Sequence, residues 1–179
     1  MIITISGFHG TGKTTIAKEV ANEFELRYIA AGDVFRQMAK VHQMSLEEFS
    51  KFVEQNSEID REIDKRTVDE AKKGNVVLDA LLAAWMTRDI SSINILLYAD
   101  EEVRIDRIAQ REKYPYNKVK EETLNREKSE IARFKKLYDI DLNNYSIYDI
   151  VLNTGLWSQE SMIQIVIILI KEHVKSIQE

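Results

Sequence analysis

Cysteine is absent from this chain, and proline and glycine are scarce. Without cysteine, the sequence can form neither disulfides nor thiolate metal sites. One proline and six glycines among 179 residues leave no linker or low-complexity tract, which favours a single domain with a substantial core. An excess of basic residues is also missing, because the net charge is −5. That balance argues against a nucleic-acid partner.

Long apolar segments are missing too, apart from Ile163–Ile170. This run is too short to span a bilayer, which takes about 20 apolar residues. Ser158 is a suitable N-cap before it, so the pattern predicts a C-terminal helix buried against a sheet. A membrane-bound or dimeric role for this helix is the alternative. Because the chain opens directly into a strand pattern, without a cleavable signal, we expect a cytoplasmic protein with no membrane partner. We also expect a monomer rather than a dimer.

Short apolar runs alternate with long amphipathic stretches along the chain. The runs lack regular polar alternation, as is typical of parallel strands buried on both faces. We predict five strands, at Ile2–Ile5, Arg27–Ala30, Val76–Leu78, Ile93–Tyr98 and Ile150–Leu152. This order predicts an α/β fold of three layers, in which helices cover both faces of a parallel sheet of about five strands.

Polar residues mark expected helix ends between these strands. Ser45 and Glu48 have the spacing of a capping box. Ser57 is expected to cap the next helix, and Gly74 and Asn75 are expected to end it.

The most specific pattern directly follows the first strand. Gly7–Thr14 match G-x-x-x-x-G-K-[ST] between a strand and a helical pattern, which is the context that a phosphate-binding loop requires. The glycines let backbone N–H groups turn toward phosphates, Lys13 can reach the β- and γ-phosphates, and the Thr14 hydroxyl can ligate Mg²⁺. The sequence therefore predicts that the chain binds ATP. The residues assigned to this site are Gly7, Phe8, His9, Gly10, Thr11, Gly12, Lys13, Thr14 and Thr15.

An acidic residue, Asp79, ends the third predicted strand. Ligands of open α/β sheets bind at the carboxyl ends of the strands, so this carboxylate is expected beside the phosphate loop. Asp79 and Thr14 together are the expected Mg²⁺ ligands, directly or through water.

The residues after the second strand resemble those of the nucleoside monophosphate kinases. In that family, the arginine at the position of Arg36 binds the phosphate of the acceptor. From the residues themselves, Gly32 and Asp33 are expected to form a turn and a helix cap, and a surface position of Arg36 beside a plain N-cap at Asp33 is the alternative. The resemblance continues at residues 45–49, 58–64 and 82–86. Together, these segments make the chain similar to the archaeal cytidylate kinases along nearly its whole length.

This resemblance implies phosphoryl transfer from ATP to CMP or dCMP with Mg²⁺. It divides one kinase domain, 1–179, into a core at 1–32, 75–106 and 134–179, an acceptor-binding insert at 33–74 and a lid at 107–133. One alternative is a different small acceptor, such as another nucleotide, shikimate or dephospho-coenzyme A. The other is a nucleotide-gated binding module with weak ATPase activity, against which the arginine-rich lid argues.

The lid arginines inherit roles from the same resemblance. Arg107 would stack on the donor adenine, and Arg111, one helical turn later, would point at phosphates. Arg126 and Arg133 would clamp the transferring phosphoryl group, with Glu130 orienting an arginine. Lys13, Arg111, Arg126 and Arg133 are thus the expected catalytic residues. A solvated, salt-bridged helix is the alternative, and it is the preferred interpretation for Arg104.

Recognition of the acceptor base is assigned to Asp60 and Arg61, which are clustered with Asp64 and Arg66 on one predicted helix, because a carboxylate beside an arginine complements cytosine. Ion pairs on an exposed helix face are the alternative. Asn153 would approach the donor adenine by resemblance. Leu81 departs from the family pattern, which has arginine there. Leucine cannot bind phosphate, so we expect weaker acceptor binding unless Arg88 or Arg61 supplies the contact.

Overall fold

The computed structural model describes residues 1–178, without the side chains of 177 and 178. Glu179, the last residue of the predicted core region 134–179, lies outside the described residues. The strands are β1 (Ile2–Ser6), β2 (Arg27–Ala30), β3 (Val76–Asp79), β4 (Ile93–Tyr98) and β5 (Ile150–Asn153). The α-helices are α1 (Lys13–Glu23), α2 (Ala31–Val41), α3 (Leu46–Gln55), α4 (Ser57–Lys72), α5 (Ala83–Thr87), α6 (Glu101–Glu112), α7 (Tyr116–Tyr138) and α8 (Gln159–Gln178).

All five strands run parallel in one sheet with the order β2-β3-β1-β4-β5. Strand β1 lies at the centre, and its neighbours β3 and β4 come from later in the chain. From β1, the chain therefore places β3 and β2 on one side and β4 and β5 on the other. The carboxyl end of β1 lies at the switch point where open α/β sheets bind ligands. The five predicted strands and the parallel α/β fold are confirmed.

Alternate residues of the strands pack against different helices. Ile3 and Ile5 belong to an apolar cluster that α1 and α8 complete, whereas Ile2 packs on the cluster that includes α4 and α5. Helices therefore cover both faces of the sheet, as predicted. Helix α8 buries Met162, Val166 and Ile170 in the first cluster, which confirms the predicted C-terminal core helix. Among residues 1–178, no helix is long and apolar enough to cross a membrane.

Two helical excursions extend from this core. Helices α2, α3 and α4 enclose their own apolar cluster around Phe35, Phe49 and Ile63. Helices α6 and α7 form a hairpin, joined by Ile105 and Val119. The first excursion spans α2 to α4 and the second spans α6 and α7, while the insert at 33–74 and the lid at 107–133 stay predictions.

The helix ends confirm some predicted caps and correct others. Ser45 and Glu48 form the complete capping box, and Ser158 Oγ accepts a hydrogen bond from Ser161 N. Ser57 is not a cap, because α4 begins at this residue. The predicted turn and cap at Gly32–Asp33 are also wrong. Helix α2 begins at Ala31, directly after β2, so both residues lie in its first turn.

Candidate active site

The phosphate-binding loop connects β1 to α1 at the switch point of the sheet. Gly7, Gly10 and Gly12 adopt φ values of 143°, 80° and 87°, a range that favours glycine. The neighbours add a second constraint, because a Cβ atom on Gly7 would collide with the Leu97 carbonyl and one on Gly10 with the Arg104 carbonyl. The loop therefore requires glycine for both its backbone conformation and its close packing.

Lys13 is the first residue of α1 and lies over the loop. Its Nζ donates a hydrogen bond to the Phe8 carbonyl oxygen at 3.0 Å, and Thr11 Oγ1 donates to the same oxygen at 2.8 Å. Burial lowers the pKa of Lys13, while the Asp79 carboxylate acts in the opposite direction. The ammonium group is thus held at the loop, at the end of β1, where phosphates of a nucleotide would lie.

Asp79 and Thr14 are in direct contact. Thr14 Oγ1 donates to Asp79 Oδ2 at 2.7 Å, and the Tyr28 hydroxyl donates to the same oxygen at 3.0 Å. Burial and the neighbouring carboxylate raise the pKa of Tyr28, so this hydroxyl remains a donor. Among residues 1–178, no cluster of three or more acidic or histidine side chains could hold a metal. The oxygen pair at Thr14 and Asp79 suits Mg²⁺, which usually completes its shell with water and phosphate oxygens.

His9 connects the loop to helix α7. Its Nε2 lies 3.0 Å from Glu130 Oε2, and Arg126 Nε donates to Glu130 Oε1 at 3.0 Å. Burial alone would raise the pKa of Glu130, but His9, Arg126 and Arg133 outweigh it and hold this pKa well below its usual range. Burial lowers the pKa of His9. An imidazole that donates its Nε2–H to an ionised Glu130 fits this contact.

Arg126 lies between the loop and the insert. Its guanidinium carbon is 5.1 Å from the centroid of the Phe35 ring of α2, within the range of a cation–π contact. The side chain is 14% exposed. The alternative of a solvated surface helix therefore does not hold for this residue.

Arg104 is buried, so the expectation of a solvated surface residue is wrong. Arg104 Nη1 and Nη2 donate to the two carboxylate oxygens of Glu127 at 2.5 and 3.1 Å, and the two side chains are 9% and 8% exposed. Sequence reasoning missed Glu127 altogether. The signal was present in the helical spacing of α7, where Glu127 and Glu130 continue a buried stripe with Thr123 and Phe134.

Arg133 and Asp60 join α7 to α4. Arg133 Nε donates to Asp60 Oδ2 at 2.8 Å, and the two side chains are 6% and 5% exposed. Arg133 Nη1 also donates to Ser129 Oγ at 2.6 Å. The alternative of exposed ion pairs is therefore wrong for Asp60. Its arginine partner comes from the lid region, whereas the adjacent Arg61 is exposed and pairs with Glu58.

The residues assigned to the donor adenine surround Thr154. Arg107 Nη1 donates to Thr154 Oγ1 at 3.0 Å and Nη2 donates to the Thr154 carbonyl at 2.7 Å. Asn153 Oδ1 accepts from Gly155 N at 2.8 Å and so shapes the same turn. Arg111, on the same helix as Arg107, is exposed and pairs with Glu112.

Arg36 and Asp33, which the sequence assigns to the acceptor, form an exposed ion pair in the first turns of α2. The guanidinium group of Arg36 lies over Gly32, about 3.5 Å from where a Cβ would stand. Leu81 packs on an apolar cluster that includes Leu82 and Phe134.

The site therefore joins a phosphate-binding loop to buried arginines on a helical hairpin. The sequence model of the cytidylate kinase-like family matches residues 2–156. The chain belongs to this family. This cytidylate kinase-like protein is an enzyme, a phosphotransferase of the nucleoside monophosphate kinase type.

Similar proteins agree with this assignment. The cytidylate kinase of Methanococcus aeolicus is 46% identical over 93% of this chain and 95% of its own. The cytidylate kinase of Methanocaldococcus jannaschii is 48% identical over the same shares of the two chains. A solved structure, shikimate kinase from Acinetobacter baumannii, has a TM-score of 0.60 with 13% identity and covers 96% of this chain and 93% of that one. At such low identity the likeness concerns the P-loop kinase fold alone.

Proposed function

We propose that this enzyme transfers the γ-phosphoryl group of ATP to CMP or dCMP, with Mg²⁺, in the cytoplasm. The observation that carries the proposal is the close identity to proteins named cytidylate kinase over nearly the whole chain. The arrangement of the site also supports the proposal, because the phosphate loop, the insert and the hairpin of α6 and α7 meet at one end of the sheet. Both substrates are small molecules, and one chain carries every proposed group, as in a monomer.

On the donor side, the loop from Gly7 to Thr15 and the ammonium group of Lys13 bind the β- and γ-phosphates of ATP. Thr14 and Asp79 are the proposed Mg²⁺ ligands. When bound, the ion would neutralise charge on the phosphates and fix their geometry. Arg107 and Asn153 hold the adenine side of the donor.

On the acceptor side, the insert at 33–74 binds the monophosphate. Arg36 and the adjacent Gly32 and Asp33 face its phosphate, and Asp60 with Arg61 is the proposed base-reading pair. Burial raises the pKa of Asp60 against the effect of Arg133. Asp60 Oδ2 accepts from Arg133, and the second carboxylate oxygen can accept from the exocyclic amine of cytosine.

The chemical step needs little from the protein beyond placement and charge. A phosphate oxygen of the acceptor attacks the γ-phosphorus, and the bond from phosphorus to the bridging oxygen of ADP breaks. The acceptor oxygen is already ionised at neutral pH, so no general base is required. Arg111, Arg126 and Arg133 on the lid, 107–133, stabilise the dispersed negative charge, and closure of this lid excludes water.

An acceptor screen tests the proposal. ADP release is followed with ATP, Mg²⁺ and each of CMP, dCMP, UMP, AMP and GMP, with an acceptor-free control. We expect stimulation by CMP or dCMP well above that by AMP or GMP. Equal ADP release with and without every acceptor would contradict the kinase proposal and favour a binding module with weak ATPase activity. A preference for AMP or GMP would contradict only the choice of cytosine.

A further inference from the structure

One residue of the phosphate loop, His9, is held through its backbone N–H and its backbone carbonyl by a buried ion pair. Glu127 Oε1 accepts the backbone N–H of His9 at 3.2 Å, and Arg104 Nη1 donates to the backbone carbonyl of His9 at 2.7 Å. The same two side chains bind each other. Both backbone groups of one loop residue are therefore fixed by one pair of side chains, which come from α6 and α7.

The contact to the His9 carbonyl has a geometric consequence. In a planar trans peptide, the C=O and the following N–H point in opposite directions. When Arg104 draws the His9 carbonyl toward α6, the N–H of Gly10 is turned away from α6. Thr154 Oγ1 acts in the same way on the Thr11 carbonyl, at 3.0 Å, and so turns the N–H of Gly12.

Close packing leaves this part of the loop little freedom. The backbone of Gly10 is so near that of Arg104 that a Cβ could not fit between them. The guanidinium group of Arg104 also lies 5.6 Å from the centroid of the Phe8 ring. Helix α6 thus forms one wall of the loop, and the Arg104 side chain is fixed by contacts on several sides.

Burial makes the two members of the pair dependent on each other. A lone buried guanidinium or carboxylate is costly, because the remaining charge has lost both water and its partner. Removing either side chain would therefore release one backbone group of His9 and leave an uncompensated charge beside the loop.

We propose that Arg104 and Glu127 are positioning residues that orient the loop N–H groups for the phosphates of the donor nucleotide. The pair also makes loop order depend on the docking of α7, the helix that carries Arg126 and Arg133. The inference rests on the proposed function only in that the donor is a nucleoside di- or triphosphate. It does not depend on the identity of the acceptor.

The test compares Arg104→Met, Glu127→Met and the double variant Arg104→Met/Glu127→Met. Affinity for ADP is measured by titration calorimetry with Mg²⁺, thermal unfolding is measured in parallel, and KM is measured for ATP and CMP. Each single variant should weaken ADP binding about tenfold or more, the cost of a lost charge-assisted hydrogen bond. KM for ATP should rise by a larger factor than KM for CMP, because the two side chains hydrogen-bond to the donor loop.

The double variant separates positioning from stability. Apolar side chains of similar size often replace a buried ion pair without loss of stability, so its Tm should recover relative to the single variants. Its ADP affinity should stay low, because neither methionine can hydrogen-bond to the backbone N–H and carbonyl of His9. Recovery of both Tm and ADP affinity would contradict the proposal, as would single variants that bind ADP normally.

Ile108→Ala serves as the matched control. Ile108 is buried on the same helix, in the cluster that joins α6 to α7, and it carries no charge. This variant should lower Tm while ADP affinity, measured well below that Tm, stays at the wild-type value. A tenfold loss of ADP affinity here would show that any destabilisation of α6 weakens the loop. ADP binding that follows these expectations without CMP phosphorylation would refute the proposed function and leave this inference standing.

Discussion

The Thr14 hydroxyl donates a hydrogen bond to Asp79 Oδ2 across 2.7 Å. This contact joins the first turn of α1 to the end of β3, two elements that are 65 residues apart in the chain. It brings together the Thr14 hydroxyl and the Asp79 carboxylate, the two groups that are expected from the sequence to bind Mg²⁺. The Tyr28 hydroxyl of β2 donates to the same carboxylate oxygen at 3.0 Å.

Asp79→Asn should therefore raise the Mg²⁺ concentration needed for half-maximal activity by about tenfold or more, since metal sites depend strongly on carboxylate ligands. ADP affinity in the presence of a chelator should change little. Mg²⁺ titrations of the rate and calorimetry with ADP check the two parts. An unchanged Mg²⁺ requirement would remove Asp79 from the metal site.

Lys13→Ala should abolish phosphoryl transfer and leave the fold intact. The ammonium group is the cation that the loop itself carries beside the expected phosphates, and such groups contribute about 100-fold or more to the rate. The rate and the far-UV circular dichroism spectrum are measured together. Lys171→Ala is the control, because this exposed lysine of α8 pairs with Glu23, remote from the loop. Near-normal turnover of the Lys13 variant would overturn the loop assignment.

Leu81→Arg tests the departure from the family pattern. An arginine here should lower KM for CMP or raise kcat, because it would add a charge-assisted contact to phosphate. The same change removes a leucine from the cluster of Leu82 and Phe134, so Tm should fall. Leu81→Met, which keeps the apolar contact, is the control for both effects. No gain in either constant would indicate that another residue already fills the role.

Asp64 should make the stability of the enzyme depend on pH. Burial raises the pKa of Asp64 from 3.8 to about 6, although the Tyr138 hydroxyl donates to its carboxylate at 2.7 Å. Between these values the folded protein binds more protons than the unfolded chain. The free energy of unfolding therefore decreases as pH rises through this range.

Asp64→Asn keeps a carbonyl oxygen for Tyr138 and removes the charge. Relative to the wild type it should gain about 3 kcal/mol at pH 7.5 and about 0.5 kcal/mol at pH 4, from the size of the pKa shift. Urea unfolding at several pH values measures the difference. Asp69→Asn, on the exposed side of the same helix, is the control and should show no gain at pH 7.5. A constant gain of Asp64→Asn at every pH would refute the assignment.

The fold followed closely from the sequence because its signals are local. An apolar run such as Ile93–Tyr98 must be buried wherever it occurs, and the glycines of Gly7–Thr14 demand one backbone path. The helix start at Ala31 was misplaced by the same reasoning. Gly32 and Asp33 have turn propensity, but the chain passes from β2 into α2 without a turn, and helical packing overrides that propensity.

Partners of charged side chains were harder to predict. Arg104 was expected at the surface, yet it pairs with Glu127 of another helix, and His9 meets Glu130 across 121 residues. Helical periodicity shows which side of a helix is buried but not which charge faces it. Only the folded arrangement of α6, α7 and the loop decides these pairs.

Transfer of labelled phosphate tests the central claim most directly. The enzyme is mixed with [γ-³²P]ATP, Mg²⁺ and CMP at concentrations that allow a single turnover, and the products are separated by chromatography. If this claim is right, the label leaves ATP and appears in CDP, at a rate that Lys13→Ala abolishes. Label found only in inorganic phosphate, whether or not CMP is present, would contradict it.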